Sequence, residues 1–140
     1  MAMTMKPAAA ALALALTMPA AGWSQNVEAG EEIFQFRCAV CHGEGGKGDG
    51  IVGELFAQKP SDLTHLTKEN GGTFPFMQVL TAIDGSERIA GHGTTEMPVW
   101  GEFFMTQALE DRGIDPKDAA QVVRGRMLSL VLYIRSLQET

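Results

Sequence analysis

Cys38-Ala39-Val40-Cys41-His42 contains both cysteines of the chain, three residues apart, and a histidine directly after the second one. Three kinds of chemistry use this spacing. The two thiols can form thioether bonds to the vinyl groups of one haem, with the histidine as an axial ligand of the iron. The same thiols can cycle between dithiol and disulfide. They can also supply half of a tetrahedral zinc site.

The rest of the sequence favours haem among these three. Zinc usually takes a second pair of ligands downstream, but the other two histidines, His65 and His92, are isolated. A redox dithiol usually lies at the end of a strand, whereas the residues before Cys38 have the periodicity of a helix. A disulfide across two residues closes too short a loop to give much entropic stabilisation. An exported, haem-free domain with one local disulfide stays open as the alternative.

The N-terminus has the layout of a secretory signal peptide. Lys6 provides a short positive region, and an apolar run over residues 8–16 is followed by Pro19 and small residues. The run is too short to span a bilayer, which takes about 20 residues. We therefore predict a cleaved signal peptide over residues 1–24, export to the periplasm, and a single domain over residues 25–140. The alternatives are a buried Ala-rich helix and an uncleaved anchor.

The chain is acidic, with a formal net charge of −6 at pH 7. Removing residues 1–24, which carry one lysine and no acid, makes that charge −7. This argues against a nucleic acid as partner, because phosphate binding needs a basic face. It favours protein partners with basic patches, although acidity also serves solubility alone. No later stretch is long and apolar enough to predict a membrane span.

Periodicity predicts an all-α domain. A first helix is expected from Asn26, as its cap, to Gly43, and a second over residues 75–83. The strongest helical pattern is C-terminal, with Asp115 as the predicted cap and Gly125 as a point of bending or interruption. The glycine-rich middle of the chain has few periodic runs, so it is predicted to form loops around a ligand that supplies apolar surface.

An iron bound by His42 would have a second axial position to fill. Met97 is the preferred ligand because it lies in a glycine-bearing loop and precedes Pro98, which stiffens the backbone. His92 is the alternative, and it would lower the reduction potential relative to a thioether. The other methionines downstream of residue 24 are assigned to core packing: Met77, Met105 and Met127.

These elements, in this order, resemble the class I (monohaem) cytochrome c family of the bacterial periplasmic type. The resemblance covers nearly all of residues 25–140 and rests on the cysteine motif, the methionine–proline pair and the two terminal helices. In the family, a glycine on the first helix permits a close crossing with the last helix. Gly30 and Phe34 match the first helix of that crossing, and Leu130 and Tyr133 match the last. "CHGEGGKGDG", "PSDLT" and "MPVWG" also resemble bacterial cytochrome c domains.

The resemblance implies a cytochrome c fold of three to five helices and long loops around one covalently attached haem c. Cys38 and Cys41 would hold the haem, and His42 and Met97 would bind its iron. The implied function is single-electron transfer between redox protein partners, with no catalytic residue and no enzymatic reaction. A backbone carbonyl near Pro60 is expected to orient His42 through its other ring nitrogen.

Two further functions stay open at this point. The chain could be a dedicated cytochrome subunit of a periplasmic dehydrogenase or oxidase complex. It could also be a haem peroxidase or gas-binding protein, for which His92 and Glu96 would be the only acid–base pair. Residues 101–113 depart from the family by lengthening the connection to the last helix, and they are predicted to be an extra helix or a partner contact. Trp100 is expected at the haem edge or in the core.

Overall fold

The computed structural model describes the backbone of residues 21–86 and 97–139, and the side chains of residues 26–86 and 97–139. This part of the chain contains helices and one 3₁₀ turn (Gly53–Leu55) but no β-strand, so the all-α prediction is confirmed. The helices are α1 (Ala21–Arg37), α2 (Ala39–His42), α3 (Leu66–Glu69), α4 (Phe76–Asp84), α5 (Trp100–Glu110) and α6 (Ala119–Ser136).

Some sequence predictions fall on other residues. His92 and Glu96 lie outside the described residues, and so does most of the predicted signal peptide. The predicted boundary after residue 24 falls within α1, and cleavage there stays a prediction. No helix within the described ranges combines the length and apolar character needed to cross a membrane.

The terminal helices α1 and α6 cross at Gly30. A Cβ at this position would overlap the carbonyl group of Ser129 and would lie 2.9 Å from Cβ of Tyr133. Phe34 is fully buried one turn further on, with its ring centroid 5.2 Å from that of Tyr133. The close crossing that the resemblance implies is therefore confirmed, and a backbone carbonyl of α6 is the atom nearest to the glycine.

Helices α4 and α5 complete the core by packing against α6. Met127 is 8 % exposed and Met105 is packed against the core, as predicted. The same prediction for Met77 is wrong, because this residue is 63 % exposed on α4. The core residues from these three helices are Val79, Ile83, Phe104, Ala108, Ala119, Val123, Met127, Leu130, Val131, Tyr133 and Ile134.

Helix ends differ from their predicted positions for local reasons. The backbone N–H of Asp118 donates to the carbonyl of Asp115 (2.8 Å), and the N–H of Lys117 donates to the Asp115 side chain (3.1 Å). Asp115 therefore closes a turn, and α6 starts at Ala119 rather than just after Asp115. The helix then continues past Gly125 without interruption. Gly85 ends α4 in the left-handed region, with a φ of 75°.

Residues 101–113 contribute an additional helix, α5. Its residue Gly101 lies so close to α4 that a Cβ would overlap the Asp84 carboxylate. Trp100 is half-buried against the core, with its ring 5.4 Å from Phe103 and 5.8 Å from Phe104. The guanidinium carbon of Arg37 lies 4.9 Å from the Phe103 ring centroid. The extra segment is thus built into the domain, and it reaches the end of α1 just before the cysteine motif.

Candidate haem-binding site

The cysteine motif forms a one-turn continuation of α1. The N–H of Cys38 donates to the carbonyl of Phe34 (2.8 Å), and the N–H of His42 donates to the carbonyl of Cys38 (2.8 Å). Helical backbone places side chains three positions apart on the same face, so the two cysteines face the same way. Both are free thiols and half-buried. No disulfide joins them in the structure.

Cys38 is held as a neutral thiol. Burial raises its pKa from 9.0 to about 12, and the negative charge of a Cys41 thiolate acts in the same direction. Among the described residues, no group of three His, Cys, Asp or Glu side chains could hold a metal ion.

The hydrogen bond at Nδ1 of His42 leaves its Nε2 atom free to bind a metal. Its Nδ1 atom lies 3.2 Å from the carbonyl oxygen of Ser61. A carbonyl can only accept, so Nδ1 carries the proton and Nε2 keeps its lone pair. Burial lowers the pKa of His42, while the hydrogen bond to Ser61 opposes that shift. The carbonyl expected near Pro60 to orient His42 is that of Ser61, the next residue along the chain.

Glycines allow the chain around Ser61 to approach the motif. The N–H of Gly48 donates to the carbonyl of His42 (2.8 Å), and a Cβ on Gly48 would overlap the carbonyl of Pro60. A Cβ on Gly53 would overlap the carbonyl of Cys41 and would lie 2.8 Å from the Pro60 ring. Larger residues at these positions would push the Pro60–Ser61 segment away from His42.

Several large apolar side chains around the motif and beyond it are exposed among the described residues. No residue of the described stretch 40–62 belongs to the core or to the side chains packed against it. Two free thiols, a neutral imidazole with Nε2 available, and this uncovered apolar surface fit a flat apolar macrocycle with a central metal. Among the described residues between 40 and 99, the exposed large apolar side chains are Val40, Ile51, Leu55, Met77, Met97 and Val99.

Met97 lies at a bend just before α5, with 37 % of its surface exposed. Val99 anchors this segment to the end of α4, since a Cβ on Gly85 would lie 2.8 Å from Cγ1 of Val99. Met97 as an iron ligand stays a prediction. Met77 is a second accessible thioether that the sequence reasoning missed. Helical periodicity could have indicated that Met77 is exposed, because the buried Val79 and Ile83 lie on the opposite side of α4.

A family model described as "Cytochrome C oxidase, cbb3-type, subunit III" matches residues 25–124 of the chain. A search of the curated proteins and a search of the solved structures each found no match. The matched range includes the cysteine motif, the glycine-rich loops, α2 to α5 and the crossing residue Gly30. A cytochrome c domain carries haem c, bound covalently through cysteines spaced as Cys38 and Cys41 are, so the cofactor prediction is confirmed. The chain belongs to the cytochrome c family described as cytochrome c oxidase, cbb3-type, subunit III.

Proposed function

We propose that this protein is an exported, periplasmic c-type cytochrome that transfers single electrons and performs no catalytic reaction of its own. The observation that carries the proposal is the state of His42. Its Nδ1 atom is engaged 3.2 Å from the Ser61 carbonyl, and its Nε2 atom is available directly beside two free thiols. When bound, the haem supplies one-electron chemistry between ferric and ferrous iron.

The residues of the site have separate roles. Cys38 and Cys41 anchor the cofactor and do not cycle between redox states. His42 would bind the iron as a neutral imidazole, and the Ser61 carbonyl fixes its tautomer and the orientation of its ring. Met97 would be the second protein ligand, and a thioether would raise the reduction potential. With both ligands bound, the haem would serve electron transfer rather than binding of a substrate or a gas.

Absorption spectroscopy tests the proposal on protein matured with its haem in a bacterial periplasm. We expect a c-type spectrum that changes reversibly on reduction, and no change when carbon monoxide is added to the reduced protein. Replacement of both cysteines, Cys38→Ala with Cys41→Ala, should abolish covalent attachment. A carbon monoxide complex that forms readily would instead indicate an open iron and favour a gas-binding or peroxidase function.

A dedicated subunit of a larger redox complex is the second candidate function. The family description names a subunit of an oxidase, which is the specific observation in its favour. The acidic chain, with a net charge of −6, would meet partners that present basic patches. A free carrier should dissociate from its partners when the ionic strength is raised. A subunit should instead co-purify with its complex at high salt.

A further inference from the structure

The last described residues of the chain fold back against the segment that follows Ser61. The side-chain amide of Gln138 donates to the carbonyl of Leu63 (2.7 Å) and accepts from the N–H of Thr67 (2.8 Å). The backbone N–H of Glu139 donates to the carbonyl of Thr64 (2.9 Å). Three hydrogen bonds thus tie residues 138 and 139 to residues 63–67. We call this set of contacts between residues 138–139 and residues 63–67 the C-terminal clasp.

Charged side chains extend this clasp to the loop after the cysteine motif. The carboxylate of Glu139 lies 2.9 Å from Nζ of Lys47 and 3.4 Å from Nε2 of His65. Nδ1 of His65 lies 3.2 Å from the carboxylate of Asp62. The other oxygen of Asp62 accepts from the N–H (2.8 Å) and the hydroxyl (2.6 Å) of Thr64. Three distant parts of the sequence therefore meet here.

The clasp begins at the residue next to Ser61. Ser61 is itself exposed, so its carbonyl is positioned by its neighbours rather than by its own burial. On one side, Pro60 packs against Gly48 and Gly53. On the other side, Asp62 is bonded to Thr64 and His65, and both of these residues contact Glu139. The Ser61 carbonyl therefore lies between the glycine contacts and the clasp contacts.

We propose that the C-terminal clasp positions the axial histidine. Gln138 and Glu139 hold residues 62–67, and these hold the Ser61 carbonyl against Nδ1 of His42. The inference rests on the proposed role of His42 as iron ligand. A strong hydrogen bond at Nδ1 makes the imidazole a better donor, which favours ferric iron and lowers the reduction potential. Loosening the clasp should weaken that bond and raise the potential.

The test compares Gln138→Ala and Glu139→Gln with Asp115→Asn in the haem-loaded protein. Asp115 is a matched control, because it is also an exposed carboxylate paired with a lysine, Lys117, at 3.0 Å. Hydrogen exchange of the Thr67 amide and of the His42 Nδ1 proton is followed by NMR in the reduced, diamagnetic state. Redox titration gives the reduction potential of each variant.

We expect Gln138→Ala to speed exchange of the Thr67 amide by about fivefold, the factor for one net hydrogen bond of ~1 kcal/mol. The His42 Nδ1 proton should exchange faster as well, and the potential should rise. Glu139→Gln should change the exchange rate of the His42 proton and the reduction potential in the same direction but by smaller amounts. Asp115→Asn should change neither of them. Glu139 is exposed, so its variant keeps the test informative even if Gln138→Ala fails to fold.

One result would overturn the inference. If the Thr67 amide exchanges faster while the His42 proton and the potential are unchanged, the clasp only stabilises the C-terminus. Failure of the proposed function has a different signature, since the unmodified protein would then lack a reversible c-type spectrum or would bind carbon monoxide readily when reduced.

Discussion

At the scale of single residues, the site depends on how closely the chain can approach His42. Gly48 adopts a positive φ of 76°, and a side chain there would overlap the Pro60 carbonyl next to Ser61. Both the left-handed backbone and the missing Cβ are needed at this position. Gly71 also has a positive φ, 66°, but nothing lies within 4 Å of the position that a Cβ would take there.

These two glycines provide a matched pair of variants. Gly71→Ala should cost only the strain of the left-handed backbone, about 1 kcal/mol. Gly48→Ala should cost roughly 1–3 kcal/mol more, because the segment carrying Ser61 must move. Chemical denaturation of the two variants measures the difference in free energy of unfolding. Equal losses would show that the contact with Pro60 is unimportant.

The two accessible methionines give a second prediction at this scale. We expect Met97→Ala to lose the weak near-infrared band of a ferric iron bound by methionine and to lower the reduction potential. Met77→Ala should keep both properties, although Met77 is more exposed than Met97. The opposite pattern would transfer the ligand role to Met77.

The residues of the cysteine motif are easier to predict than the residues that surround them in the fold. The spacing of Cys38, Cys41 and His42 is local, so the sequence alone identifies the cysteine motif. The carbonyl that orients His42 depends on the path of a loop, and for that reason the sequence indicates only its neighbourhood, near Pro60, while the structure identifies it as the carbonyl of Ser61. The prediction for Met77 fails because an apolar residue in a helix belongs to the core only if it lies on the buried face.

Among the helices, the close crossing of α1 and α6 joins the two ends of the described chain. Gly30 faces the Ser129 carbonyl, whereas Gly125, also within a helix, has nothing within 4 Å of a Cβ position. Gly30→Ala should therefore destabilise the protein by roughly 1–3 kcal/mol through overpacking. Gly125→Ala should stabilise it by about 0.5–1 kcal/mol, because alanine favours helix. Thermal unfolding should show a lower melting temperature for Gly30→Ala and a higher one for Gly125→Ala. A stabilising effect of Gly30→Ala would contradict the close crossing of the two helices.

Periodicity in the sequence predicts that a helix is present, but it does not predict the residues at which the helix begins and ends. The predicted start of α6 is too early, because Asp115 has the residue type of a cap and instead closes a turn. The break at Cys38 between α1 and α2 has no signal in the sequence. The extra helix α5 could only be suggested, since its apolar residues fit a partner contact equally well.

At the scale of the whole molecule, the clasp should make stability sensitive to acid. Hydrogen bonds from Thr64 lower the pKa of Asp62 below its ordinary value of 3.8, and Lys47 lowers the pKa of Glu139 below 4.5. A carboxyl group with a lowered pKa in the folded state stabilises that state above its ordinary pKa. The contribution is lost as the pH falls through the lowered value.

We therefore expect the free energy of unfolding to decline as the pH falls below these ordinary values. Asp62→Asn should flatten that decline, because it removes a carboxyl group whose pKa is lowered in the folded state. Denaturant titrations at a series of acidic pH values measure the slope. An identical slope in Asp62→Asn and the unmodified protein would show that other carboxylates cause the acid sensitivity.

The order of the elements is enough to identify the family, because the motif, loops and terminal helices follow one another as the family requires. The clasp cannot be predicted in this way. It joins Lys47, residues 62–65 and residues 138–139, which are far apart in the sequence and share no periodic pattern.

The crossing of α1 and α6 also has a consequence for the order in which the chain folds and receives its haem. α1 ends at Arg37, and its main partner begins only at Ala119, so closing this contact requires a long loop. Until α6 has packed against α1, the cysteine motif belongs to a chain that has not closed around it. We therefore expect the cysteines to be most accessible to haem before this contact forms, and the contact to close around the attached group afterwards.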